Sequence, residues 1–142
     1  MTLTRRDRRL AALLVIVHAL VSGIHGVAHA ELPVALAAWQ EAFVLIVATL
    51  APLAALVLLY RGRERAGVAL LTTSMAAALL FGLTVHYLVP NLDNVASIPA
   101  GPWHLHFAWT AAAIALTELG GAAIGAWLWV RDGVRDSAAT PA

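Results

Sequence analysis

The sequence predicts an all-α polytopic membrane protein, a bundle of four transmembrane helices with both termini in the cytoplasm (N-in/C-in). Three observations predict it. The 142-residue chain is 61% hydrophobic and only 12% charged, with a mean hydropathy of +0.82; a soluble domain carries about twice that charged share. The charges are gathered into a few short segments, and between them run apolar stretches of the roughly 20 residues needed to cross about 30 Å of hydrocarbon. All 9 basic residues fall at one end of those stretches, which the positive-inside rule assigns to the cytoplasm.

Taken in order, the first span covers about residues 10–30. Arg5, Arg6, Arg8 and Arg9 precede it, an arrangement that resembles a twin-arginine export signal. The apolar run that follows is of full spanning length and ends in no small-residue cleavage site, so the segment reads as a signal-anchor retained as the first helix. Glu31-Leu32-Pro33 breaks that helix, and Pro33 suits an early position in the next, where its missing N–H does no harm. The second span covers about residues 39–60, opened by Trp39 as an interfacial anchor. Pro52 lies inside it and is expected to kink it, freeing a carbonyl near Ala48 that needs another partner. Arg61 to Arg65 form a basic turn, and the third span covers about residues 66–89. An extracytoplasmic loop, 90–102, is rich in Pro, Asn, Asp, Ser and Gly. The fourth span covers about residues 103–130, with Trp127 and Trp129 in an aromatic belt at its far end. Residues 137–142 are expected to form a disordered tail. The whole is one domain in the cell membrane.

Much chemistry is excluded by missing residues. The chain has no cysteine, so thiolate metal sites, iron–sulfur clusters and CxxC redox chemistry are ruled out. It has no phosphate-binding glycine loop or dinucleotide fingerprint, and its serines lack a nucleophile-elbow context. The basic residues sit at segment ends and not on one face, which gives no nucleic-acid surface. No catalytic residue is assigned.

What stands out is His18-Ala19-Leu20-Val21-Ser22-Gly23-Ile24-His25-Gly26-Val27-Ala28-His29, three imidazoles inside an apolar span. At about 100° per residue, His18, Ser22, His25 and His29 share a wedge of roughly 60°. A polar stripe of this kind is costly against lipid and is expected to face other helices. At 1.5 Å rise per residue, His25 and His29 lie roughly 24 and 30 Å above the cytoplasmic arginines, His86 roughly 31 Å and His106 roughly 37 Å. Histidines from three helices thus converge near the outer end. His104 points about 160° away from His106 and belongs to the loop or interface. His18, near mid-membrane, is roughly level with Glu118, the one acidic residue inside a span, so these two are expected to form an intramembrane polar pair. Gly120, Gly121 and Gly125 offer the close helix contact such a pair requires.

Three readings of the cluster follow. The first is a metal site with His25 and His29 at i, i+4 spacing and His86 and His106 completing the set. Glu41, Asp93, His104 and Glu31 then serve as alternative ligands or as the shell behind them. The sulfur-free donors suit Zn, Cu(II) or Fe(II), in metal handling or a redox or oxygen-related role. The second is b-type haem held by two histidines from different helices, as in a small membrane cytochrome. The third is a structural, proton-relay or transport role without a cofactor. The metal site is the expected reading. The expected partners are the lipid bilayer and either further copies of the chain or a larger membrane complex.

Overall fold

The computed structural model describes residues 1–32 and 34–138, with side chains described as far as Asp132. Every regular element among them is helical. Four helices are long and apolar enough to cross a membrane: α1 (Arg5–Glu31), α2 (Ala38–Tyr60), α3 (Glu64–Leu88) and α4 (Pro102–Ala138). A single 3-10 turn, Val95–Ser97, lies in the α3–α4 connection.

The helix ends differ from the apolar runs for identifiable reasons. α1 starts five residues before the expected 10 because Thr4 caps it. The Thr4 hydroxyl accepts from the Asp7 N–H while the Asp7 carboxylate accepts from the Thr4 N–H, so two otherwise orphaned donors are satisfied. The basic cluster is therefore the first turn of the helix. α2 begins at Ala38, with residues 34–37 outside any helix; Pro33, expected to help start it, lies outside the described residues. α4 opens with Pro102 in its first turn and runs on through the polar segment to Ala138. Residues 137 and 138, expected to be disordered, therefore continue the helix. The remainder of that tail, 139–142, lies outside the described residues.

Pro52 acts on the turns before it. Over Val44–Leu50 the helix widens to π spacing, one of the ways a chain absorbs a residue that cannot close its α-helical hydrogen bond.

Two packed layers fill the bundle. At the end carrying the arginines, Ala11 and Val15 of α1 meet Ala55 and Leu59 of α2, Val68, Leu71 and Met75 of α3 and Leu128 of α4. At the opposite end a smaller cluster joins Ala28, Val34, Ile98 and Phe107. The α3–α4 contact is close: a Cβ at Gly125 would stand 3.1 Å from Thr72 Cβ, and one at Gly121 2.7 Å from Met75 Cγ, the approach that small residues permit. The arginine end is tied by charge. Arg131 grips the Asp7 carboxylate through both terminal nitrogens, at 3.1 and 2.9 Å. Glu64 pairs with Arg8 and accepts the Leu3 N–H at 2.8 Å.

Polarity is arranged inside out. Leu20, Leu80, Trp109 and Leu116 are exposed, whereas His18, His25, His86, Asp93 and Glu118 are buried. That is the distribution expected of a bundle whose solvent is hydrocarbon.

Candidate functional site

The site lies at the end of the bundle opposite the arginines. α1 contributes His25 and His29, one turn apart, as the i, i+4 spacing dictates. α3 contributes His86 from its last, π-helical turn, Thr84–Leu88. The three rings pack together. Centroids are 4.8 Å apart for His25 and His29, 5.1 Å for His25 and His86, and 6.3 Å for His29 and His86.

Asp93 joins them because the loop after α3 folds back. The π-type turn pairs the Val89 N–H with the Thr84 carbonyl, and Pro90 brings no N–H of its own. The Asn91 side chain takes over, donating to the Val85 and Val89 carbonyls at 2.9 and 2.7 Å. Its oxygen accepts the Asp93 N–H at 2.7 Å, and Asn94 adds a bond to the Val89 carbonyl at 3.1 Å. This Asx-type turn sets Asp93 Oδ1 3.2 Å from His29 Nε2 and 3.3 Å from His86 Nδ1.

Hydrogen bonds decide which ring nitrogens are bare. The Thr110 hydroxyl donates back to the His106 carbonyl at 2.7 Å, so it accepts from His25 Nδ1–H at 2.8 Å. His25 Nε2 then carries the lone pair; it is buried and has no hydrogen-bond partner. His86 Nδ1 donates to the Asp93 carbonyl at 3.0 Å, which leaves its Nε2 as the lone-pair nitrogen. His29 directs Nε2 to Asp93, and its Nδ1 is buried without a hydrogen-bond partner. Fixing the tautomer through the far nitrogen is how metal-binding histidines are usually presented.

Phe107, fully buried, closes the group from α4, with its ring 4.7, 5.2 and 5.6 Å from those of His25, His29 and His86. The four rings pack against one another, so no slot for a macrocycle opens between any two of these three imidazoles. Among the described residues no three His, Asp or Glu side chains aim their donor atoms at one ion-sized point.

The other expected site residues lie apart. His106, expected as the fourth ligand, is exposed and packs edge-on against Trp103 at 5.3 Å. His104 Nδ1 donates to the Ile98 carbonyl at 3.0 Å and holds the loop. Glu31 and Glu41 are exposed. His18 and Glu118 are both buried but do not bond each other. The two nitrogens of His18 go to Thr117 Oγ1 and to the Ala48 carbonyl, each at 3.0 Å. The carbonyl expected to be left short by Pro52 thus receives its partner from α1. Glu118 instead lies against Gly82, where a Cβ would stand 3.6 Å from Glu118 Oε2 and 3.9 Å from His86 Cδ2. No described residue bonds its carboxyl, and Oε2 is buried.

Phe107 and the role of Thr110 went unread in the sequence. The signal was there: Phe107, Ala111, Glu118, Gly121, Gly125 and Leu128 form the buried stripe of α4, at helical spacing. Reading that face from Glu118 outward reaches Phe107; reading it from His106 inward misses it by one residue, or about 100°.

Comparison with protein-family models, with curated proteins and with solved structures finds no match to this chain.

Proposed function

We propose that this chain is a four-span integral membrane protein, with both termini cytoplasmic, that holds one transition-metal ion near the extracytoplasmic face. His25, His29 and His86 are the imidazole donors and Asp93 the anionic one; His106 has no part. The ring spacing carries this reading, with centroids 4.8, 5.1 and 6.3 Å apart. Imidazoles bound tetrahedrally at a Zn–N distance of about 2.0–2.1 Å have ring centres roughly 5 Å apart. Closing the set needs rotation of the rings and of the Asp93 carboxylate about their own side-chain bonds, with the helices left in place.

Donor chemistry agrees. Two bare imidazole nitrogens, a third histidine and a carboxylate, without sulfur, suit Zn, Cu(II) or Fe(II). Thr110 behind His25 and the Asp93 carbonyl behind His86 are the supports such ligands require. The ion serves metal handling, or a redox or oxygen-related reaction in which its coordination expands beyond these four donors. Haem is less well supported, because Phe107 and the third imidazole stand where the macrocycle would pass.

The test is elemental analysis with a visible spectrum on protein purified in detergent. About one metal ion per chain is expected, without a Soret band, and His25→Ala and His86→Ala should each lose it. Metal-free protein after growth in metal-replete medium would refute the proposal, and a Soret band would replace it with haem.

A further inference from the structure

Beside the imidazoles lies a cavity of about 160 Å³. His25, His29 and His86 border it toward the loop, and Glu118 borders it on the other side, toward the bundle centre. Glu118 is 2% exposed and has no hydrogen-bond partner among the described residues. Val44, Phe81 and Ile114 give the wall its apolar part, and Ser22 and Asp93 add polar groups to the lining.

The cavity has a side window. Gly26 lines it, and a Cβ built there would meet nothing within 4 Å. The outer half of α2 packs on α3 and barely touches α1. Val27, the residue after Gly26 on α1, and Leu45, the residue after Val44 on α2, are exposed and apolar. A molecule entering here comes from hydrocarbon and not from water.

We infer that this cavity binds a small phenol-type molecule that enters sideways from the bilayer, its hydroxyl donating to Glu118 and its ring lying against Val44, Phe81 and Ile114. Size favours a single ring: an apolar protein cavity of about 150 Å³ accepts benzene. Polarity favours one hydroxyl. A buried carboxyl without a partner is unfavourable, and a ligand O–H supplies what Glu118 lacks, while an apolar ring matches the wall. The route excludes a charged ligand, which would have to cross hydrocarbon unpaired. This goes beyond the metal reading and does not require the ion.

The experiment is fluorine NMR on the full chain in detergent, with 4-fluorophenol as probe and fluorobenzene as the comparison lacking a hydroxyl. Saturable binding of 4-fluorophenol, about tenfold tighter than fluorobenzene, is expected. Gly26→Phe places a ring in the window and should abolish it, and Glu118→Leu should erase the preference for the hydroxyl. Equal, non-saturating signals for wild type and Gly26→Phe would overturn the inference, leaving a cavity that holds only water. So would equal affinities for the two probes in wild type. Metal content measured on the same samples reports on the ion separately: Gly26→Phe should retain it, and its loss in wild type would leave probe binding untouched.

Discussion

Replacing His18 by leucine tests whether one imidazole repairs the damage done by Pro52. His18 is 2% exposed, and its Nε2–H donates to the Ala48 carbonyl at 3.0 Å, the carbonyl that an α-helical N–H at position 52 would otherwise satisfy. Leucine fills similar space but leaves that oxygen unpaired in an apolar setting, which costs about 1–3 kcal/mol. Thr117 is not orphaned as well, because its hydroxyl, which donates to the bare His18 Nδ1 in the wild type, turns to the Ile114 carbonyl 2.8 Å away. His18→Leu should therefore lower stability by about 2 kcal/mol, roughly a thirtyfold shift in the unfolding constant. Pro52→Ala restores a backbone donor. In that background His18→Leu should lose less than about 1 kcal/mol, a coupling of at least ~1 kcal/mol. The assay is reversible unfolding in mixed micelles with rising SDS fraction, followed by tryptophan fluorescence. Losses that add to within about 0.5 kcal/mol would refute the link between His18 and Pro52.

Other perturbations probe the site and the packing. Thr110→Val removes the acceptor that fixes the His25 tautomer and should weaken metal binding about 10- to 100-fold with little change in fold, measured by competition with a chelator. His106→Ala should leave metal content unchanged, since its ring lies on Trp103; loss of the ion would restore it as a ligand. Gly121→Leu forces side-chain atoms into Met75 and should cost at least ~2 kcal/mol, read in the same micelle titration. Asp7→Asn breaks the paired grip of Arg131 and should cost about 1–3 kcal/mol, diminishing in the background of Arg131→Gln.

The four helices were legible because they depend on length and hydropathy, which the sequence states directly. The His25–His29 pair was legible for a similar reason: one helix fixes both positions. His86 came within reach by counting rise along α3, and the short α3–α4 connection kept Asp93 nearby. What counting could not supply was rotation. His106 lies at the very start of α4, where one residue of register decides between Phe107 and His106, and the bulkier apolar ring takes the buried position. The His18–Glu118 pair failed for a local reason. An unpaired backbone carbonyl on α2 competes for the same imidazole, and that competition follows from the π turn before Pro52, which hydropathy does not reveal. The Asn91 turn was likewise hidden, since only the backbone of the last α3 turn shows which carbonyls need a donor.

X-ray absorption at the edge of whichever metal co-purifies is the most direct measurement of the central proposal. Three-histidine ligation predicts nitrogen or oxygen neighbours near 2.0–2.1 Å, the outer-shell scattering of about three imidazoles, and no edge signal above background in His86→Ala, which loses the ion. A spectrum with one imidazole or none, or one unchanged by His86→Ala, would contradict it.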